Sequence, residues 1–265
     1  MRIDHKFTMD FPRWPRAYFE RIRPTFLESW PDKLAALSIS HVRVQLNVEE
    51  AKTLAWAPCL LLDRVTTLDP VWLQTLAARL RPPIDQFSDG AFIRLGSASP
   101  KDSPLFRRNR GRARQPVMAI KLLQTSERMR ADIARCLELE YLPSVFVRQW
   151  LPLLTWQEFR CFMYDRRLVG ISQLDCVNYG AHPELLRAAN QVEEAIREFF
   201  LRFQACCHLD RVVFDVFVVP DSETETEGRC HARLTEINPW GPATDACLFR
   251  WGVSGDFDGS FRYLK

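Results

Sequence analysis

The sequence lacks three features, each of which would indicate a particular class of protein. No apolar run approaches the length of a membrane span, so we expect no association with a membrane. Residues 1–6 lead into no signal-peptide core, which favours a cytoplasmic location. The eight cysteines form no CxxC pair and no His/Cys spacing typical of zinc. We therefore expect reduced cysteines that pack in the interior of the protein.

Recognisable catalytic motifs are also absent. There is no Ser/His/Asp arrangement, no Walker loop and no nucleotidyltransferase-style lysine motif, and the five histidines are isolated. No catalytic residue can be assigned from the sequence. The formal net charge of +3 is too small to argue by itself for a nucleic-acid partner.

What is present is an ordinary globular composition, with 47% hydrophobic and 26% charged residues in a chain of 265. Hydrophobic periodicity predicts a mostly helical N-terminal region, 1–85, followed by a core of strands and inserted helices, 86–265. One helix is predicted from Asp69 and Pro70 to about Leu80, ended by Pro82 and Pro83. The predicted core elements are strands 91–95 and 145–150, a hairpin of 158–164 with 167–175, a helix 183–207, and strands 212–218 and 232–240. This order favours an α+β (mixed α/β) fold over a doubly wound sheet.

The last two strands carry oxygen-bearing side chains. Asp215 lies inside an apolar run, where an unpaired charge is costly. Glu236 and Asn238 are two residues apart and therefore share a face of their strand. Carboxylate and carboxamide oxygens suit Mg²⁺, which usually keeps water and phosphate ligands as well. We predict a magnesium site at these three residues; the alternative is a strand-capping acid and a polar turn before Pro239.

Two segments are biased in charge. Residues 107–114 carry five arginines, namely Arg107, Arg108, Arg110, Arg112 and Arg114, and residues 221–228 carry four acids. Both segments could be solvated, mobile loops. The arginine segment could instead close over a triphosphate or attract a polyanion such as RNA. Because it has few apolar residues to bury, we expect it to be disordered without a ligand.

Three groups of motifs share their order and spacing with a known family. They are Phe-Ile-Arg-Leu-Gly-Ser-Ala-Ser-Pro-Lys-Asp from residue 92; Val-Arg-Gln-Trp, Glu-Phe-Arg-Cys-Phe and Gly-Ile-Ser-Gln from residues 147, 158 and 170; and Phe-Asp-Val, Glu-Ile-Asn-Pro-Trp-Gly and Thr-Asp-Ala-Cys-Leu-Phe from residues 214, 236 and 244. Over about residues 86–251 they resemble the cell division cycle protein 123 (D123) family. The resemblance implies an ATP-grasp fold that binds ATP with Mg²⁺. Eukaryotic members of the family help to assemble the translation initiation factor two complex.

The chain departs from the family pattern at three places. Arg94 stands where the family usually has lysine, Gly96 and Ser97 replace Asn-Trp, and Glu236 replaces an aspartate. Arginine keeps the charge of lysine but presents a planar fork in place of a compact ammonium group. Contact with phosphate is therefore expected to survive with a changed geometry.

The resemblance also implies roles for individual residues in binding ATP. Arg94 would face the phosphates, helped by the hydroxyl groups of Ser97 and Ser99 and by Lys121. Arg148, Gln149 and Trp150 would form the hinge that reads the adenine edge. Further polar contacts would come from Glu158, Arg160 and Ser172, with Asp175 a weaker candidate. Each has a structural alternative: a surface arginine for Arg94, core packing for Trp150, an ion pair of Arg160 with Glu158.

Two classes of function remain open from the sequence. In the first, the protein is an ATP-dependent ligase or phosphotransferase that acts on an unknown second substrate. In the second, it is an ATP-regulated assembly factor or chaperone like the eukaryotic family members. An RNA ligase is a further alternative, because relatives in this branch of the fold have been proposed to join RNA.

Overall fold

The computed structural model describes residues 12–56, 71–177, 180–220 and 230–265, without the side chains of Trp72 and Pro220. These residues form two compact units. The first contains the described residues up to Glu20 and residues 40–151; the second contains residues 21–39 and the described residues from Pro152 onward. Helix α1 (Arg16–Ile22) falls across the first boundary.

The first unit is built on a four-stranded sheet in the order β1-β4-β2-β3. Its strands are β1 (His41–Gln45), β2 (Ala91–Leu95), β3 (Arg112–Ala113) and β4 (Ser144–Gln149), all paired antiparallel. Its helices are α3 (Val48–Trp56), α4 (Val71–Asp85), α5 (Pro104–Asn109), α6 (Pro116–Thr125) and α7 (Glu127–Glu138). Ile93, Leu95 and Val147 share one core with apolar residues of α3, α4, α6 and α7, so these helices cover one face of the sheet.

Local sequence signals fix the starts of these helices. The Ser126 hydroxyl accepts a hydrogen bond from the Met129 amide at the start of α7. At α3, the Asn47 side chain accepts from the Glu50 amide and the Glu50 carboxylate accepts from the Asn47 amide. Helix α4 corrects a prediction, because it continues through Pro82 and Pro83 to Asp85. The two prolines lie in its last turns, where the helix ends soon after them. Its predicted start at Asp69 and Pro70 lies outside the described residues.

The second unit is built on a five-stranded sheet in the order β8-β7-β5-β6-β9. Its strands are β5 (Glu158–Tyr164), β6 (Arg167–Gln173), β7 (Val212–Pro220), β8 (Cys230–Pro239) and β9 (Phe261–Arg262). Only the β6–β9 pair among them is parallel. Helix α8 (Pro183–Cys206) packs on one face, where Phe203 stacks on Phe214 with ring centroids 4.1 Å apart.

Residues 21–39 join this second unit through β8. They form two 3-10 turns (Arg23–Thr25 and Leu27–Ser29) and the short helix α2 (Asp32–Ala35). The Ser38 hydroxyl donates to the Leu234 carbonyl at 2.7 Å, and the Leu234 amide donates to the Leu37 carbonyl at 3.0 Å. This N-terminal segment therefore extends the hydrogen bonding of β8.

The predicted hairpin across Asp165 and Arg166 is confirmed. Both residues have positive φ, 46° and 61°, as a two-residue turn of type I′ requires. Neither residue is the glycine that such a turn prefers. Arg166 is held by hydrogen bonds from its guanidinium to the Cys207 and Gln204 carbonyls, which compensate for the strained backbone.

A bulge interrupts the pairing of β7 with β8. Asp215 pairs with Glu236, but the next residue, Val216, pairs with Leu234, so Thr235 is the extra residue. Leu234 therefore shares the face of Val216, towards α8, while Glu236 shares the opposite face with Asp215. The bulge turns Glu236 towards Asp215 while an apolar residue two positions earlier stays in the core.

The predicted α+β class is confirmed, and the two-sheet architecture fits the ATP-grasp fold that the resemblance implied. The described part of the first 85 residues is mostly helical and contributes one strand, β1, to the first sheet. The structure divides the chain differently from the predicted 1–85 and 86–265, because residues 40–56 and 71–85 belong to the same unit as β2 and β4.

Candidate metal and nucleotide site

A row of polar side chains crosses the second sheet on the face opposite α8. Successive strand partners are Glu236 on β8, Asp215 on β7, Arg160 on β5, Ser172 on β6 and Arg262 on β9. Directly paired residues present their side chains on the same face of a sheet. Four of the predicted site residues therefore lie in one line, although they are far apart in the sequence.

The centre of this row is a buried ion pair. Arg160 Nε donates to Asp215 Oδ1 and Nη2 donates to Oδ2, both at 2.8 Å. The side chains are 11% and 3% exposed, so little water competes with the two bonds. The third nitrogen, Nη1, donates to the Asp245 carbonyl at 3.0 Å. Arg160 thus pairs with Asp215, and the predicted alternative of an ion pair with Glu158 is wrong.

Glu236 and Asn238 complete the predicted metal set. Asn238 Nδ2 lies 3.4 Å from Asp215 Oδ2 and 3.3 Å from Glu236 Oε1. The prediction that Glu236 and Asn238 share a face agrees with this contact. A half turn of the carboxamide would place Oδ1 where Nδ2 now lies. The three side chains can therefore offer oxygen atoms to one point, a donor set that fits Mg²⁺.

Burial and two neighbouring side chains act in opposite directions on the pKa of Asp215. Burial raises the pKa of Asp215 to about 6, Arg160 opposes the rise, and the neighbouring Glu236 adds to it. Burial alone would lower the pKa of Arg160, but the charge of Asp215 outweighs it and the pKa lies above its ordinary value. The positive charge of Arg160 offsets part of the repulsion between the two carboxylates.

No larger group of metal-binding side chains competes with this set. Within the described ranges, no cluster of three or more His, Cys, Asp or Glu residues could hold a metal ion. The candidate site therefore depends on the carboxamide of Asn238 as well as on the two carboxylates.

The segment after β8 covers the row. The Leu248 amide donates to the Ser172 hydroxyl at 3.2 Å, and that hydroxyl donates to the Gln173 carbonyl at 2.8 Å. Ser172 is fully buried and serves this packing, which the sequence did not indicate. Burial raises the pKa of the nearby Cys247 thiol to about 12. The thiol is protonated at neutral pH and is a poor nucleophile.

Aromatic rings fill the space beside the row. Phe162 packs against Phe249, Trp251 and Phe257, with centroids 5.0–5.9 Å apart. Gly170 leaves room for Phe249, because a Cβ at this position would lie 2.7 Å from its Cζ. The close approach fixes the segment that supplies the Asp245 carbonyl to Arg160.

Glu158 and Asp175 lie at the edges of this region. Glu158 is half-buried at the start of β5, opposite Phe217, and its carbonyl accepts from the Leu174 amide. The Asp175 carbonyl accepts from the Gln173 side chain. Their predicted roles towards a nucleotide stay predictions.

The phosphate candidates lie in the first unit. Arg94 on β2 pairs with Phe146, and Arg148 on β4 pairs with Phe92, so the two arginines are diagonal neighbours on one face. They are 4% and 2% exposed, and this is the face opposite the helices. Arg94 Nε donates to the Leu95 carbonyl at 2.9 Å. A pair of buried guanidinium groups on one face is suited to an anion.

The turn after β2 is anchored to α7 by two carboxylates. Ser97 Oγ donates to Asp132 at 2.8 Å, while Asp102 accepts from the Ser126 hydroxyl and from the Arg128 amide. Ser99 is buried in the same turn. Burial raises the pKa of Asp132, and its hydrogen bond with Ser97 opposes the rise. Sequence reasoning missed Asp132 and Asp102, because contacts between a turn and a later helix leave no local pattern.

The predicted adenine hinge is partly used for other contacts. The Gln149 amide donates to the Ser40 carbonyl at 2.9 Å, and Gln149 pairs with Ala91, so it faces away from Arg148. The Arg112 guanidinium lies 4.4 Å above the Trp150 ring, whose Nε1 donates to the Arg110 carbonyl at 3.3 Å. The first unit ends at Leu151, directly after this stretch. Lys121 lies on α6, on the other face of the sheet from Arg94.

The arginine segment is ordered, which corrects the expectation of disorder. It forms the end of α5, a left-handed turn at Arg110 and Gly111, and strand β3. Ser103 caps α5, and the Asn109 side chain bonds the Arg112 carbonyl and the Gly111 amide. A Cβ on Gly111 would lie 2.8 Å from the Phe106 ring. The helix cap, the Asn109 hydrogen bonds and one glycine fix the backbone of a segment whose composition alone predicted mobility.

The arginines of this segment differ in their use. Arg112 forms an ion pair with Asp89 and stacks on Trp150. Arg107, Arg108 and Arg114 are exposed, and their side chains make no ion pair or hydrogen bond with another residue in the described part of the chain. The acidic segment 221–228 lies outside the described residues.

Two further expectations concern membranes and cysteines. Among the described residues, no helix is both long and apolar enough to cross a membrane. None of the seven described cysteines forms a disulfide, and three of them, Cys136, Cys161 and Cys207, are buried.

Comparison with known proteins identifies the family. The D123 family model matches residues 64–253, which include every predicted site residue. The chain belongs to the D123 family.

Named relatives of the chain carry two descriptions. A "Translation initiation factor eIF2 assembly protein" from Xenopus tropicalis is 25% identical over 198 residues, covering 71% of this chain and 56% of the relative. One of the same name from Sclerotinia sclerotiorum is 38% identical over 106 residues, covering 40% and 24%. A "Cell division cycle protein 123" from Phaeosphaeria nodorum is 27% identical over 194 residues, covering 68% and 48%. The chain thus spans about half the length, or less, of these relatives.

A solved structure shares the fold. Cdc123 from Schizosaccharomyces pombe matches with a TM-score of 0.68 at 20% identity, covering 88% of this chain and 90% of that one. At this identity the match establishes the fold.

Proposed function

We propose that the protein is a Mg-ATP-binding assembly factor, in which the nucleotide regulates binding of a protein partner. Membership of a family whose named relatives are eIF2 assembly proteins supports the partner. One observation supports the nucleotide: Asp215, Glu236, Asn238 and Arg160 converge on one face of the second sheet.

The chain's own residues suggest how a metal nucleotide would be held. Asp215, Glu236 and Asn238 would supply the oxygen ligands of the cation. Arg160 would neutralise charge beside them. Bound Mg²⁺ would offset the charge of the phosphates.

A ligase or phosphotransferase is the second candidate. An ATP-grasp ligase needs positioning and charge neutralisation more than a protein nucleophile. The site agrees with that requirement, since the nearby Cys247 thiol is protonated. The assembly reading is preferred because two of the named relatives are described as eIF2 assembly proteins.

RNA is a possible second substrate under the ligase reading. The exposed Arg107, Arg108 and Arg114 favour a polyanion, since a phosphate backbone would supply negative partners for these side chains, which form no ion pair with another described residue. An RNA-joining activity would require turnover of ATP together with binding of a strand end.

Two measurements test the proposal. Calorimetry with ATP should detect binding that disappears when the divalent cation is chelated. Size-exclusion chromatography with purified eIF2 subunits should show a complex that depends on ATP.

Analysis of the nucleotide after incubation separates the candidates. An unchanged nucleotide is expected for the assembly factor. ADP formed with a carboxylate substrate would indicate acyl-phosphate chemistry, and AMP with pyrophosphate would indicate adenylation. ATP binding that is absent at millimolar concentration would contradict both candidates.

A further inference from the structure

A guanidinium group lies where the proposed cation would bind. Both carboxylate oxygens of Asp215 accept hydrogen bonds from Arg160, at 2.8 Å each. Asp215 contacts Asn238 and is paired across the strands with Glu236, so it adjoins both of the other proposed ligands. The arginine therefore already supplies a positive charge to this acid.

Burial makes the competition between the two cations strong. Asp215 is 2% exposed, so a divalent ion at its oxygens would meet the guanidinium with little water between them. Like charges in such surroundings repel far more than at the surface. A free cation must therefore displace Arg160 from Asp215 or bind weakly beside it.

A displaced Arg160 needs another anion. Its Nη1 is bonded to the Asp245 carbonyl, and the ion pair with Asp215 is its only one in the described part of the chain. A buried guanidinium without a counter-charge is costly. Phosphate oxygens match its planar fork as well as a carboxylate does.

We propose that Arg160 is the specificity-determining residue of the site: it excludes a free divalent cation and admits one that arrives with a polyphosphate. This inference rests on the proposed function. Asp215 exchanges the guanidinium for the metal only when the guanidinium can move to the phosphate. The site then binds a divalent cation that is bound to a nucleotide and discriminates against the free divalent cation.

The test measures Mn²⁺ alone and ATP with Mn²⁺ separately. In Arg160→Met, two carboxylates remain without the competing charge, so Mn²⁺ alone should bind about ten- to hundredfold more tightly than to the wild type, the equivalent of one charge-assisted interaction. ATP with Mn²⁺ should bind more weakly to the variant, because the phosphates lose the guanidinium. Calorimetry and the electron paramagnetic resonance signal of free Mn²⁺ give both affinities. A purely structural arginine would shift both affinities in the same direction.

Two variants keep the test decisive if Arg160→Met fails to fold. Arg160→Lys keeps a charge but cannot hold both oxygens of Asp215, so its Mn²⁺ affinity should lie between those of the wild type and the methionine variant. Arg211→Met is the matched control: Arg211 Nε lies 2.9 Å from Asp165 in the same unit, outside the site. It should bind Mn²⁺ as the wild type does. Asp215→Asn measures binding of Mn²⁺ elsewhere on the protein.

The outcomes separate this inference from the proposed function. If neither substitution at Arg160 tightens binding of Mn²⁺ alone, the inference is overturned. If the wild type fails to bind ATP with Mn²⁺, the proposed function is overturned, whatever the Arg160 variants do. Tighter Mn²⁺ with weaker ATP in the Arg160 variants, and neither change in the Arg211 variant, is the expected result.

Discussion

Two groups of arginines, one in each unit, are used in opposite ways. In the second unit, Arg160 is buried and both oxygens of one carboxylate hold it in place. In the first, Arg107, Arg108 and Arg114 are exposed and form no ion pair with another described residue. A buried charge can leave its partner only if a replacement arrives, whereas exposed charges are free to meet an anion but are screened by salt. The first arrangement favours selectivity and the second favours non-specific attraction.

The largest effect should come from breaking the buried pair. Asp215→Ala leaves Arg160 buried without a counter-charge, and we expect a loss of about 3–5 kcal/mol in the free energy of unfolding. Arg211→Met breaks a pair of similar length, with Asp165, whose side chains are 53% and 59% exposed, and should cost less than about 1 kcal/mol. Urea denaturation of both variants measures the difference. Equal losses would mean that burial does not distinguish the two pairs.

A smaller effect is expected at the buried arginines of the first unit. If Arg94 contacts phosphate, Arg94→Ala should weaken ATP binding by about 1.5–3 kcal/mol and leave adenosine almost unchanged. Arg43→Ala is a control, because Arg43 lies on β1 of the same sheet and is exposed. Calorimetry with both ligands makes the comparison. An equal loss for ATP and adenosine would assign Arg94 to the fold.

The exposed arginines should show a weaker, salt-dependent effect. Replacing Arg107, Arg108 and Arg114 by glutamine should leave the fold intact, since none of their side chains bonds another described residue. If the segment binds RNA, the affinity for a single-stranded oligonucleotide should fall and its dependence on salt should flatten by up to about 0.7 per lost phosphate contact. A loss of ATP affinity instead would place the segment over the triphosphate. Fluorescence anisotropy at several salt concentrations, beside ATP titrations, separates the two.

The smallest effect is a pH dependence of stability at Asp132. Burial raises its pKa in the folded protein, so the unfolded state loses its proton first as the pH rises. The stability of the wild type relative to Asp132→Asn should therefore fall above pH about 4 and level off once the folded pKa is passed. Asp258 is the opposite case, because its hydrogen bonds with Ser260 lower its pKa. Relative to Asp258→Asn, the stability should fall only as the pH drops below about 4. Denaturation across this pH range would contradict the assignment if both slopes had the same sign.

The comparison also shows which contacts a sequence can reveal. The common face of Glu236 and Asn238 follows from their spacing on one strand, and Asp215 was singled out by its apolar neighbours. The partner of Asp215 could not be found in this way, because Arg160 lies 55 residues earlier and only the pairing of β5 with β7 brings it close. Long-range strand order leaves no local signal.

The prediction of disorder in the arginine segment was wrong for a different reason, because the signals that it missed are local. Its order depends on local signals that the charge bias hid: a serine cap, an asparagine that bridges the turn, and a glycine with φ of 72°. The composition of Arg107 and Arg108 indicated mobility, but the residues between and around the arginines determine the backbone. Charge alone was a poor guide to disorder here.

The bulge at Thr235 has a consequence for how related sequences should be aligned. Leu234 faces the helix and Glu236 faces Asp215, although they are two residues apart, because β8 holds Thr235 between two residues whose partners on β7 are neighbours. Deleting Thr235 would restore regular pairing, and Leu234 and Glu236 would keep their faces as adjacent residues. A homologue with a one-residue gap at this point therefore keeps its carboxylate opposite the acid of β7. A gap at the bulge should be accepted when the acids of this strand are aligned.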